Sequence, residues 1–162
     1  MAQALPFFEE GQPQENRYLT FYLGADLYGL SIRNVAEIIG MQRITPYPEV
    51  PEYVRGVINL RGRVIPVIDL ALKFHKKPML YNEKTCIIVA TMEEVSAGFI
   101  VDGVEEVTAI LQEEILVPPD GKNILSKRYI DGIVKGDNGI KILLDCDKLL
   151  EEDEIEELKN ID

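Results

Sequence analysis

Between residues 17 and 150 the apolar positions come in short blocks, separated by glycine, proline, asparagine and aspartate, and the blocks alternate around turns rather than with long helices. Arg17 to Leu23 reads as a strand, Gly24-Ala25-Asp26 as a turn, and Leu27 to Ile32 as its return. Thr85 to Thr91 is an apolar run that fits a strand covered on both faces. In Val50 to Leu70, Gly56 and Gly62 bracket Val57-Ile58-Asn59-Leu60, and Asn59, Arg61 and Gly62 suit a turn with positive φ. The strand that follows, Arg63 to Leu70, is nearly all aliphatic and ends at Asp69. Pro66 within it cannot donate to a ladder, which predicts an edge strand or a bulge. Short helical turns are expected at 33–38, 70–74 and 147–150.

An internal repeat organises these blocks. Leu19, Phe21, Gly29, Leu30, Ile32, Val35 and Ile38 reappear 69 positions later as Ile88, Ala90, Gly98, Phe99, Val101, Val104 and Val107, and Glu37 maps onto Glu106. Tyr53, Gly56, Val57 and Asp69 reappear at an offset of 76 as Tyr129, Gly132, Ile133 and Asp145. Pro118, Pro119, Asp120 and Gly121 mark the loop where the offset changes. The chain reads as two copies of one unit: strand, turn, strand, a short Val-x-x-Ile/Val segment and a Gly-bounded hairpin. Length and strand spacing favour a pair of small barrels over a sandwich, hence an all-β fold. The first subdomain is expected at about 17–80 and the second at about 81–146, with strand exchange between them left open. Residues 1–16 read as a flexible tail without signal-peptide character, and 147–162 as an acidic C-terminal helix.

Charge narrows the partners. Of the net −11, residues 1–80 carry nine basic and eight acidic groups and residues 81–162 carry eight and twenty, which argues against nucleic acid. No stretch of about 18 apolar residues is present to span a membrane. Cys86 and Cys146 form no pattern, and reduced thiols in a cytoplasmic protein are favoured over a disulfide.

A search for catalytic chemistry finds little. His75 is the single histidine and lacks a second ligand or nucleophile of recognisable spacing, so an exposed loop residue is preferred to a base or metal ligand. Neither a phosphate-cradling loop nor a nucleophile elbow around Ser31, Ser96 or Ser126 is present. Asp69 and Asp145 match in the repeat, which points to turn-capping roles rather than an acid/base pair. Metal, cofactor and catalytic residues are therefore expected to be absent. A binding module remains.

Asn59-Leu60-Arg61-Gly62, the following Val64 to Leu70, the upstream Tyr28-Gly29-Leu30 and the later Phe99 to Val104 together resemble CheW, the chemotaxis coupling family, across roughly residues 17–150. The resemblance implies two five-stranded barrels similar to SH3 domains, packed about a shared core with a groove between them. It also implies a non-enzymatic adaptor linking chemoreceptors to the histidine kinase CheA. On that basis Leu19, Ile32, Val35, Ile38, Met92 and Val104 are expected to line the groove for a receptor tip, although an aliphatic stripe is usually core. Met92 suits such a surface because a thioether adapts to its partner. Glu37 and Arg61 are the polar companions, able to pair with each other or with the receptor.

For the regulatory domain of CheA, the resemblance implies Met41, Ile44 and Val64, on a hairpin formed by 41–45 and 61–65. The loop from Leu116 to Lys122 corresponds to an opposite contact. The free protein is expected to be a monomer, recruited from the cytoplasm to receptor arrays. Two rivals stand beside this reading: a coupling domain of a related protein, and a small-molecule-binding double barrel. The second is disfavoured by the scarcity of aromatic and convergent polar groups at the groove positions.

Overall fold

The computed structural model describes residues 16–77, 80–92, 95–117, 129–137 and 139–150. The tail 1–15, most of the 116–122 loop and the acidic stretch 151–162 lie outside the described residues. Ten strands appear in chain order: β1 (Arg17–Leu23), β2 (Asp26–Ser31), β3 (Val35–Gly40), β4 (Val54–Leu60), β5 (Arg63–Asp69), β6 (Cys86–Met92), β7 (Val95–Val101), β8 (Gly103–Ala109), β9 (Ile130–Gly136) and β10 (Gly139–Leu144). Two short helices follow the fifth and tenth strands, α1 (Leu70–Lys73) and α2 (Cys146–Leu150). The fold is all-β, and β1 and β4 recur as β6 and β9 at the sequence offsets of 69 and 76.

Neither five-stranded sheet is built from one half of the chain. The first sheet runs β8-β1-β2-β10-β9 and the second β3-β6-β7-β5-β4. Each half therefore gives its first two strands to one sheet and its last three to the other. In each sheet the halves meet through one antiparallel pair, β1 with β8 or β3 with β6, and one parallel pair, β2 with β10 or β5 with β7, while neighbours from the same half are antiparallel.

The apolar alternation separates three cores. In β6, Ile88 and Ala90 face a shared core between the sheets, while Ile87 and Val89 face the inside of the second sheet. This accounts for the unbroken apolar run: both faces are covered. The inner core of the second sheet draws on all five of its strands, including β3 and β4 at opposite ends of the order, so the sheet curls upon itself.

Two local expectations need correcting. Residues 33–38 do not form a helical turn: a 3-10 turn covers Ile32–Asn34, and Val35 begins β3. A register shift between Val35 and Glu37 inserts one residue, so Val35 and Ile38 face the shared core although they stand three apart. A bulge thus imitates helical spacing. Nor is β5 an edge strand, since it lies between β7 and β4. Pro66 is accommodated because it stands opposite Val57, whose N–H and C=O turn outward to Thr45 (both 2.9 Å), and because parallel pairing with β7 begins only at Val67. Gly56 is required by that same covering segment: a Cβ there would lie 2.1 Å from the Thr45 carbonyl oxygen.

Asp69 and Asp145 take the capping roles expected of them. The Asp69 carboxylate accepts from Leu72 N–H at 3.2 Å and from the Tyr81 hydroxyl at 2.8 Å, and Asp145 accepts from Lys148 N–H at 3.3 Å.

Candidate partner-binding site

The β4–β5 hairpin closes through Arg61 (φ 52°) and Gly62 (φ 86°), with Leu60 opposite Arg63. Two successive positive-φ residues match the right-handed twist of the flanking strands, and the Asn59 side chain accepts from Gly62 N–H at 2.9 Å. Arg61 points back to β3. Its guanidinium donates two parallel bonds of 2.8 Å to the two carboxylate oxygens of Glu37. The Arg61 side chain is 63% exposed and that of Glu37 only 15%, so the carboxylate is seated and the arginine is displayed. The hydrogen bonds from Arg61 hold the Glu37 carboxyl below its usual range. Because β3 and the β4–β5 turn lie toward opposite ends of the sheet order, the pair ties the curled sheet across its opening. A bidentate arginine also has a defined direction, which gives a partner something specific to meet.

The six groove residues divide. Leu19, Ile32, Val35 and Ile38 are core side chains, all at or below 6% exposure. They pack between the sheets and present no surface in this structure. Met92 and Val104 are half-buried at the border of that core. The Asn34 side-chain amide donates to the Met92 sulfur, fixing the thioether beside the 3-10 turn. Glu37 and Ile38 are neighbours on β3, so the charged pair and the aliphatic border leave the strand on opposite faces.

The second set is also split. Met41 and Ile44 pack against the inner core of the second sheet, and Val64 is half-buried on β5. The segment carrying Met41 and Ile44 joins β4 through the Thr45–Val57 bridge, rather than forming a hairpin with 61–65. Leu116 lies on the other sheet, 52% exposed and bridged to Ile133 of β9. Sequence reasoning overlooked Leu111, Val117 and Ile140, which are 49%, 75% and 61% exposed. Ile140 was within reach, since the offset of 76 maps it onto Val64.

His75 is exposed in a positive-φ turn after α1. No cluster of three or more metal-ligating side chains occurs among the described residues, where both cysteines are free thiols. Burial raises the Cys86 thiol to about 11, and burial followed by Asp147 and Asp145 raises that of Cys146 to about 12, so neither is an activated nucleophile.

Residues 17–154 match the family model described as a CheW-like domain. The chain belongs to the CheW family. Among its relatives are the chemotaxis protein CheW of Klebsiella aerogenes, 34% identical with 93% of this chain and 91% of the relative covered, and that of Thermotoga maritima, 35% identical with 89% and 93% covered. The crystal structure of a CheW scaffolding protein from Thermoanaerobacter tengcongensis superposes with a TM-score of 0.77 at 36% identity, covering 86% of this chain and 94% of that one. A CheW-like chain with this coverage is a chemotaxis coupling adaptor of a scaffolding, non-catalytic kind. Among the described residues, no helix is long and apolar enough to cross a membrane.

Proposed function

We propose that this protein couples the cytoplasmic tips of chemoreceptors to the regulatory domain of the histidine kinase CheA, transferring no phosphate itself and working from the cytoplasm at membrane-associated arrays. The observation that carries the reading is the Arg61–Glu37 pair. An exposed guanidinium is held bidentately on a two-residue turn of a curled, aliphatic-cored sheet. Such a pair sets register and selectivity, and reversing its charge opposes a partner built to meet a cation.

The receptor contacts we assign are Arg61 and Glu37 on one face of β3 and the half-buried Met92 and Val104 at the border on its other face. Leu19, Ile32, Val35 and Ile38 act beneath it, shaping the border from within the core. The kinase surface is assigned to Met41, Ile44 and Val64 on the second sheet. Leu116, with the exposed Ile140 beyond it in the chain, offers a second apolar contact on the other sheet. The free protein is assigned as a monomer.

The test is co-retention. Immobilised protein should hold a receptor-tip fragment and the kinase regulatory domain in one complex. Failure to retain either partner would contradict the reading.

A further inference from the structure

The β4–β5 hairpin is held differently from its counterpart, β9–β10, and the difference starts at Pro66. Val57 and Ile133 are bonded outward, to Thr45 and to Leu116, so the residues opposite them, Pro66 and Ile142, turn their backbone groups toward the parallel neighbours β7 and β2. Ile142 has an N–H to give there and Pro66 has none. The ladders differ accordingly. Between β10 and β2 the pairing begins at Lys141 with Leu27, whereas between β5 and β7 it begins two equivalent positions later, at Val67 with Gly98. Residues 63–66, and with them the turn that displays Arg61, extend beyond the residues paired with β7.

A side-chain contact stands where that ladder stops. Arg63 donates from Nη2 to the Ser96 hydroxyl at 3.2 Å, and the Ser96 and Thr91 hydroxyls lie 3.1 Å apart across β7 and β6. Ser96 is buried and Arg63 exposed, so the acceptor is fixed within the sheet while the donor comes from the free end of the hairpin. Thr91 directly precedes Met92. None of these three residues recurs in the other copy, where Arg63, Ser96 and Thr91 have Gly139, Leu27 and Tyr22 as counterparts. The two arginines flanking Gly62 thus reach to different strands, Arg61 to β3 and Arg63 to β7.

We propose that Arg63 is a positioning residue: its clasp on Ser96 replaces the ladder bond that Pro66 cannot make, and so fixes Arg61 relative to Glu37 and Met92. That role rests on the receptor contact assigned to Arg61 above, whereas the clasp itself does not.

The test uses the full chain and compares Ser96→Ala, which removes the acceptor without changing charge, with Arg63→Met, which removes the donor. NMR titration of the Glu37 carboxyl reads the clasp without any receptor. Arg61 holds that carboxyl below its usual range, so a loosened hairpin should let its midpoint rise in Ser96→Ala. Affinity for a receptor-tip fragment should fall about fivefold in both variants, the scale of one hydrogen bond. Pro66→Val, which restores an N–H toward β7, should recover both readouts in the Ser96→Ala background. An unmoved Glu37 midpoint in Ser96→Ala would overturn the clasp, whatever the tip does. Loss of affinity in Arg63→Met alone would overturn the positioning role, since the guanidinium would then meet the receptor directly. A wild-type protein that does not bind the tip would overturn the coupling reading, and the titration would still uphold or overturn the clasp.

Discussion

The two sheets hold equivalent strands in equivalent order, yet their inner faces have opposite character. Inside the second sheet, Ile39, Ile58, Leu60, Ile65, Val67, Ile87, Val89 and Ile100 form an aliphatic core. Inside the first, among the described residues, Ile110, Val134 and Leu143 form the buried cluster, with Tyr18 and Ile115 packed against it. The counterparts of Ile39, Leu60, Ile65, Val89 and Ile100 are Thr108, Gly136, Lys141, Thr20 and Ser31. Each aliphatic side chain so buried contributes about 1.5–3 kcal/mol, so the second sheet holds the larger share of inner-face stability.

The first sheet instead relies on a polar network. The Thr20 hydroxyl lies 2.7 Å from Glu105, which is also held by Lys141, and the Lys141 side chain is only 10% exposed. Burial by itself would lower the Lys141 pKa, but Glu105 and Glu106 outweigh it and raise the value. The difference teaches a division of labour. The second sheet, with its aliphatic inner core, carries the displayed arginine on its hairpin, while the corresponding turn of the first sheet reads Gly136-Asp137.

Removing one member of the polar network should have the largest effect. Lys141→Ala removes the ammonium paired with the buried Glu105 carboxylate and is expected to cost about 3 kcal/mol in urea unfolding. Replacing Lys141 by Ile and Glu105 by Ala together, toward the pattern of the second sheet, should recover most of that loss. If the double variant is as unstable as the single one, the network does more than compensate charge.

Next comes a matched pair of truncations. Ile100→Ala should lose about 2–5 kcal/mol, while Ser31→Ala at the equivalent position should lose about 1 kcal/mol or less, because its hydroxyl only caps a 3-10 turn through a 3.4 Å bond. Equal losses would erase the contrast between the sheets.

The smallest effect concerns the two helix caps. Asp69 is bonded by Tyr81, whose hydroxyl is raised to about 12 by burial and then by Asp69 itself. A raised folded-state pKa stabilises below the unfolded value near 10, and that contribution is lost as pH climbs from about 10 toward 12. Tyr81→Phe should therefore flatten the alkaline slope of stability, whereas Asp145→Asn at the other cap should flatten it less, through the smaller share of Asp145 in raising the Cys146 thiol.

Much of this architecture was legible in the sequence. The offsets of 69 and 76 mark equivalent strands whose bounds coincide for β1/β6 and β4/β9 and agree to within one residue for the rest, and the Asn59 to Gly62 turn displays its arginine as expected. Which sheet each strand enters was not legible, because the shared core accepts the same aliphatic pattern from either half. The Val35-x-x-Ile38 spacing misled for a local reason, a bulge that restarts the alternation. Groove assignments by resemblance selected Leu19, Ile32, Val35 and Ile38 by position, and position does not reveal that their side chains point between the sheets. The polar inner face was available from the repeat, where Thr20 stands against Val89 and Lys141 against Ile65. It becomes visible only when the copies are compared for differences as well as matches.

Coupling to the receptor is assigned to the bidentate Arg61–Glu37 pair at the opening of the aliphatic-cored sheet. Its most direct test is the affinity of a receptor-tip fragment for the wild-type protein and for Arg61→Glu, with the thermal transition and kinase-domain affinity recorded for both. Arg61→Glu should lose most of its receptor affinity, with the transition and kinase binding nearly unchanged. Unchanged receptor affinity in a folded Arg61→Glu protein would contradict it.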